Sequence, residues 1–288
     1  MLSIDSENDL PALRYFPNLV YSRQTLTKLR LHLMVPVRAS SSGNTRSEPR
    51  PLIVFIPGCR WRTQNLFIVA PRMIQFAQQS GYAVAMVAHR SSRQAKAPAQ
   101  LVDVKAALRY LREHADQYDI DPARIGIWGD SSGGHLAALA ACTPNVEEFS
   151  VGEFRDQSES VQAVAVFYAP TDFSQMHKFP SAIDHDAANS PESIVIGASI
   201  RDPQNYQRVQ AYNPIHYIDP ERNIPPFLIV HGDRDEQVPF NQSVLLYKAL
   251  KRENREVILY KIKGAGHGSK CWTPRVMRIV EDFFNRNL

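Results

Sequence analysis

The sequence predicts an α/β protein built on one mostly parallel sheet with helices on both faces, and three observations carry that prediction. Short apolar runs alternate with helix-length segments along most of the chain, an order that yields a parallel sheet covered on both sides. An apolar run at 125–128 passes through Gly129-Asp130-Ser131-Ser132-Gly133-Gly134-His135 into a helix of small residues. Finally, 288 residues at 44% hydrophobic content can bury a full core, which fits one domain over residues 1–288 better than two small ones.

Taken in order, residues 26–35 alternate Leu29, Leu31, Leu33 and Val35 with Lys28, Arg30 and His32, the pattern of an antiparallel strand with one wet face. Residues 38–50 read as a polar surface loop. Buried parallel strands are expected at 52–56, 83–87, 125–128, 161–167, 227–230 and 257–262, and helices at 71–80, 101–118, 135–142, 241–252 and 274–285. In the second helix Leu101, Val104, Leu108 and Leu111 form a stripe, which leaves Lys105, Arg109, Arg112 and Glu113 for the solvent side. Two irregular segments remain, an acidic one at 143–160 and a longer one at 172–213. Loops of that length usually have a task, and the second follows a strand at the end of the sheet where ligands bind, so a small cap or substrate-binding insertion is expected there.

Composition excludes several function classes. The net charge of +4 is spread along the chain, without a basic cluster interleaved with aromatics, so no nucleic-acid partner is expected. Apolar runs such as 161–170 fall well short of the roughly 20 residues that span a bilayer. Asp5, Glu7 and Asp9 stand where a secretory signal would be basic, and Cys59, Cys142 and Cys271 are odd in number and far apart. Both features suit a cytoplasmic, reducing setting. His177, Asp184, His185 and Asp186 lie close together without the helical spacing of a zinc site and read as solvated loop residues. No metal or organic cofactor is expected, and nothing in the sequence sets an oligomeric state.

The chemistry centres on Ser131. The G-x-S-x-G frame of Gly129 and Gly133 selects it over Ser132, because a motif centred on Ser132 would need glycine where Asp130 stands. The glycines lack the Cβ atoms that would clash as strand and helix close on the turn. The same stretch is also compatible with an ordinary glycine-rich turn cradling a phosphate, although neither G-x-G-x-x-G nor a G-K-[ST] ending is present. A serine hydroxyl needs a base to take its proton and a carboxylate to orient that base. His267, in Gly264-Ala265-Gly266-His267-Gly268, is the candidate base. Asp235, in His231-Gly232-Asp233-Arg234-Asp235, is preferred as the orienting acid over Asp233, which sits at a tight turn where Asp bonds its own backbone. His231 reads as a structural turn residue and His135 as packing behind the turn. Negative charge developing on a carbonyl oxygen calls for backbone N–H donors, expected from Ser132 and from the loop Pro57-Gly58-Cys59-Arg60-Trp61.

The whole pattern resembles the α/β-hydrolase fold, and within it the esterases of the hormone-sensitive-lipase and acetylxylan/feruloyl-esterase type, with arylformamidases close by. The matching pieces are Gly-Asp-Ser131-Ser-Gly-Gly-His-Leu-Ala, His-Gly-Asp-Arg-Asp235-Glu-Gln-Val-Pro and Gly-Ala-Gly-His267-Gly, with Asp121-Pro122-Ala123-Arg124-Ile125 leading in. The resemblance runs from about residue 31 to the C-terminus. It implies a cofactor-free serine carboxylesterase acting through Ser131, His267 and Asp235 on a small-molecule ester, of acetyl or hydroxycinnamoyl type. An arylformamidase-like amide hydrolase and a non-catalytic binding protein on the same scaffold are the alternatives; a prolyl-oligopeptidase-like peptidase would need an extra domain. The chain departs from the family where His-Gly-Gly-Gly-Trp is usual and Pro57-Gly58-Cys59-Arg60-Trp61 stands. The aligned amides of Gly58, Cys59 and Arg60 are then the expected oxyanion donors beside Ser132. Arg60 and Trp61 are candidate substrate contacts. Arg60, with Arg62, Arg90 or Arg93, would suit an anionic group, against the plainer reading of Arg60 as a solvated charge.

Overall fold

The computed structural model describes residues 10–23, 27–37 and 48–288. Its strands are β1 (Leu13–Ser22), β2 (Leu29–Pro36), β3 (Arg50–Ile56), β4 (Ala83–Val87), β5 (Ile120–Asp130), β6 (Ala163–Phe167), β7 (Phe227–Gly232) and β8 (Val257–Ile262). The helices are α1 (Leu66–Ser80), α2 (Ala99–Glu113), α3 (Ala115–Tyr118), α4 (Ser132–Cys142), α5 (Pro191–Ile196), α6 (Tyr206–Gln210), α7 (Asn241–Arg252) and α8 (Pro274–Asn287). One sheet runs in the order β1-β2-β4-β3-β5-β6-β7-β8. It is antiparallel at β1/β2 and β2/β4 and parallel from β4 onward.

The period-two geometry of the strands divides their side chains between two cores. Leu52, Val54 and Ile56 of β3 join Ile125 and Ile127 of β5 in the core under α2, α4 and α7. Ile53 and Phe55, with Trp128, face α1 and α8. Both faces are therefore dry, which is why the central strands read as continuous apolar runs. Among the described residues no helix is long and apolar enough to cross a membrane.

Several expectations need correction. The strand at β2 has no wet face: Arg30 is exposed but His32 is buried, its Nδ1 bonded to the Tyr15 hydroxyl and its ring against Phe67. The cause is α1, whose Leu66, Ala70 and Met73 pack with Met34 on the face that also carries His32, with Phe67 against the His32 ring. Pro17 and Asn18 interrupt the period of β1 at a register shift between Phe16 and Leu19, with Asn18 at a φ of 58°. Residue 26 and residues 38–47 of the anticipated strand and loop lie outside the described residues. Helix α1 starts at Leu66 rather than 71, because Asn65 caps it by accepting from the Phe67 amide at 3.1 Å. The expected helix 101–118 is broken at His114 into α2 and α3.

A further correction concerns charge. Lys105, Arg109 and Arg112 are buried because the 143–160 segment folds over them. Lys105 Nζ lies 2.8 Å from Glu159 Oε2, and Arg109 bonds the other oxygen of the same carboxylate. Arg109 also donates to the carbonyls of Glu153 and Val151, and Arg112 to those of Ser158 and Ser160. One buried carboxylate thus bridges two buried cations, and removing it leaves both without their counter-charge in the core. Glu159→Ala is expected to lower the unfolding free energy by about 3 to 5 kcal/mol, read from urea denaturation followed by circular dichroism; a loss within 1 kcal/mol would show the cluster to be solvated.

Candidate active site

Strand β5 ends where α4 begins, and Ser131 occupies the turn with φ 51° and ψ −126°, a sparsely populated conformation that persists only where its surroundings enforce it. Its N–H donates to the Phe167 carbonyl at 2.8 Å and its own carbonyl accepts from His135 N–H at 3.0 Å. Closure of strand on helix leaves no room for side chains at the flanking glycines. A Cβ on Gly129 would lie 2.3 Å from the Gly133 carbonyl oxygen, and one on Gly133 would lie 1.9 Å from that of Ile56.

The three residues expected to act together are in contact. Ser131 Oγ is 2.9 Å from His267 Nε2, and His267 Nδ1 is 2.7 Å from Asp235 Oδ2. Asp235 Oδ1 accepts from the amides of Gln237 and Val238 at 2.8 and 2.9 Å. Burial alone would raise the Asp235 pKa, but hydrogen bonds from His231 and His267, and the charge of those rings, outweigh it and hold the carboxyl well below the usual range. Asp233 instead accepts from the Gly264 amide at 2.6 Å, and the Arg234 amide donates to the Ala265 carbonyl at 2.9 Å. Together they tether the histidine loop.

His231 does more than shape a turn. It is fully buried, its Nε2 lies 3.2 Å from Asp235 Oδ2 and 3.0 Å from the Val238 carbonyl, and its Nδ1 lies 2.7 Å from Ser243 Oγ. Two imidazoles therefore face one carboxylate. The spacing of four residues from His231 to Asp235 is the only trace of this in the sequence. Tyr168 is another residue the sequence did not single out: its ring packs against His267 and its hydroxyl donates to Asp130 Oδ2 at 3.1 Å.

The loop opposite Ser131 differs from expectation. The Gly58 amide donates to Asp130 Oδ1 at 2.9 Å, and the Cys59 amide donates to Ser132 Oγ at 2.9 Å. Two of the three loop amides proposed as oxyanion donors are thus engaged by side chains flanking Ser131. The amides of Arg60 and Ser132 have no acceptor among the described residues; that of Ser132 is at the first turn of α4, where no intrahelical acceptor exists. Arg60 and Trp61 both have positive φ, 56° and 53°, which turns the chain sharply beside the site.

Trp61 is buried, and its indole N–H donates to His135 Nδ1 at 3.2 Å. It forms the floor of the pocket and has no hydrogen bond left to offer a substrate. His135 in turn donates from Nε2 to the Tyr212 carbonyl at 2.7 Å, so its tautomer is fixed and neutral, and burial pushes its pKa down to about 4. Arg60 donates to Gln237 Oε1 at 3.0 Å and lines the pocket. Arg62 and Arg93 are exposed and do not line it, and Arg90 is held by Asp103 through Nε and Nη2 at 2.9 and 2.7 Å.

A small pocket opens over Ser131. The 172–213 segment contributes Ile183, His185, Pro191 and Glu192 to its wall, and the loop after β7 contributes Gln237 and Val238. His185 is buried rather than solvated: its Nδ1 lies 3.0 Å from Glu192 Oε2 and its Nε2 lies 3.0 Å from the Gln237 carbonyl. It fastens the segment to the loop that carries Asp235. His177 Nδ1 and Asp186 Oδ1 of the same cluster lie 3.6 Å apart, and no group suited to a metal ion occurs among the described residues. The three cysteines are free thiols, and burial pushes that of Cys59 up to about 12, far from a nucleophilic range.

Sheet order, elbow and the Ser-His-Asp geometry define an α/β-hydrolase. A family model, BD-FAE, matches residues 42–250, and the chain belongs to that family. Among solved structures it is similar to a truncated form of a carbohydrate esterase from gut microbiota, at 31% identity and a TM-score of 0.84 over 97% of this chain and 98% of that one. Among curated proteins it is similar to the probable carboxylic ester hydrolase LipM of Mycobacterium tuberculosis, 29% identical over 73% of this chain and 47% of the relative. Esterase LipQ of the same organism is 30% identical over 73% of this chain and 48% of its own length. The chain spans about half the length of these curated relatives.

The His135 environment gives a signed pH dependence. Its pKa is lower folded than unfolded, so the unfolded chain binds the extra proton as pH falls from about 6.5 toward 4, and stability declines across that window. The contribution is about 3 kcal/mol, from a depression of about 2.5 pH units. The stability gap between the native chain and His135→Gln, measured by urea denaturation, is expected to narrow by about that amount between pH 7 and pH 4. A pH-independent gap would show His135 to titrate normally.

Proposed function

We propose that this chain is a serine carboxylic ester hydrolase that works through an acyl-enzyme on esters of small acyl groups, acetyl first and hydroxycinnamoyl second. The observation that carries the reading is the unbroken hydrogen-bond path from Ser131 Oγ through His267 to Asp235. Ser131 Oγ bonds to the carbonyl carbon as its proton passes to His267 Nε2, and the carbonyl electron pair moves onto oxygen. His267 then gives that proton to the departing alkoxy group, and water repeats the sequence to release the acid. Asp235 supports this cycle because a deeply ionised carboxylate holds the Nδ1–H tautomer and stabilises the imidazolium.

The small pocket supports a short acyl chain. For the alcohol, Arg60 and Gln237 offer donors and Glu192 an acceptor around the same opening, a set that suits a hydroxyl-rich moiety. Similarity to a carbohydrate esterase points the same way. In this reading 172–213 is a cap on a single catalytic domain, closing one wall of the site.

The reading is tested with p-nitrophenyl acetate, butyrate and octanoate, methyl ferulate, chlorogenate and N-formylkynurenine. Acetate is expected to exceed octanoate in kcat/KM, and Ser131→Ala to abolish turnover. Amide turnover above ester turnover would replace the reading with a formamidase, and silence of the folded protein across the panel would leave a binding protein. Asp235→Asn is expected to lower kcat about 10⁴-fold by presenting the wrong imidazole tautomer; a loss below about tenfold would remove Asp235 from the orienting role.

A further inference from the structure

We propose that the side-chain hydroxyl of Ser132 is itself a hydrogen-bond donor to the oxyanion, replacing the Cys59 amide that it engages; this rests on Ser131 being the nucleophile. The loop that usually offers consecutive glycine amides reads Gly58-Cys59-Arg60 here. Its Gly58 amide is held by Asp130 and its Cys59 amide by Ser132 Oγ. A hole reduced to the Ser132 and Arg60 amides would lack one of its expected donors, and each such donor is worth several kcal/mol in the transition state.

Ser132 supplies the missing donor through its own hydroxyl. The residue is almost fully buried and lines the same pocket as Ser131 and Arg60. Its Oγ accepts from Cys59 N–H at 2.9 Å. A hydroxyl that accepts one hydrogen bond still carries its proton, and among the described residues no oxygen or nitrogen takes it. The Cys59 thiol interacts with Ser132, but sulfur is a weak acceptor, and the thiol itself donates to the Arg62 carbonyl at 3.0 Å. An anionic oxygen forming beside Ser131 is a far stronger acceptor. Donation from Cys59 N–H into Oγ also polarises the O–H bond and strengthens its onward donation. In the step itself the Ser131 Oγ–carbon bond forms, the carbonyl π pair becomes the oxyanion lone pair, and Ser132 keeps its proton while hydrogen-bonding to it. A residue such as alanine at this position would leave the Cys59 amide free and pointing into the site, so the two arrangements make opposite forecasts for the variant.

Ser132→Ala is the decisive change. With p-nitrophenyl acetate, kcat is expected to fall about 10²-fold with KM little changed. Affinity for a trifluoromethyl ketone, whose Ser131 adduct carries the same oxyanion, should fall by a similar factor. A rise in kcat, or a fall of less than about threefold, would overturn the proposal, the rise meaning that the hydroxyl blocks the Cys59 amide. A fall in kcat without loss of ketone affinity would also overturn it, because a merely structural role does not track the oxyanion. If Ser132→Ala fails to fold, Ser132→Cys keeps the volume with a weak S–H donor and is read the same way. Turnover surviving in Ser131→Ala would overturn the nucleophile and this proposal with it, whereas abolished turnover there beside an unaffected Ser132→Ala overturns the hydroxyl's role alone.

Discussion

The structure depends on the forced conformation of Ser131. Left-handed φ is unfavourable for any residue with a side chain, and here it is imposed from both sides. Strand β6 takes its amide through Phe167, helix α4 takes its carbonyl through His135, and carbonyl oxygens of Gly133 and Ile56 crowd the flanking glycines. The turn lifts the hydroxyl above the sheet and starts α4 at Ser132, whose amide has no acceptor among the described residues. It also sets Asp130 and Ser132 on either side, where each captures an amide of the loop after β3. Ser131, the start of α4 and the loop after β3 are thereby tied into one unit.

A second rigid unit is built around Asp235. Its carboxylate accepts from two backbone amides and lies against two histidines, so neither oxygen has freedom to rotate. His185, Glu192 and the Gln237 carbonyl connect this unit to the 172–213 segment, and Arg60 reaches Gln237 from the oxyanion side. The pocket lies between the two units, and its polar wall is composed of groups that also hold the units together.

The parts of this arrangement that were legible in the sequence are those fixed locally. Short apolar strands ending in glycine turns marked Ser131, Asp235 and His267, because a strand end followed by Gly has one direction to go. What could not be read depends on partners distant in sequence. Lys105 and Arg109 look solvated until Glu159 folds over them, and His32 looks wet until α1 covers it. Gly58 and Cys59 look like free donors until Asp130 and Ser132, more than seventy residues on, reach their amides. His231 and His185 follow the same rule, since a histidine's role is set by what meets its two nitrogens.

Strand order has a consequence for how the site would come apart. Ser131 is attached to β5, deep in the sheet, whereas His267 follows β8, which is an edge strand and carries the exposed Tyr260. Edge strands open locally at lower free energy than central ones. The proposed proton carrier thus follows an edge strand, and the proposed nucleophile a central one. Under mild heating or denaturant, hydrogen exchange at 257–268 would run ahead of exchange at 125–131, and chemistry would stop while the serine still stood in its strained turn.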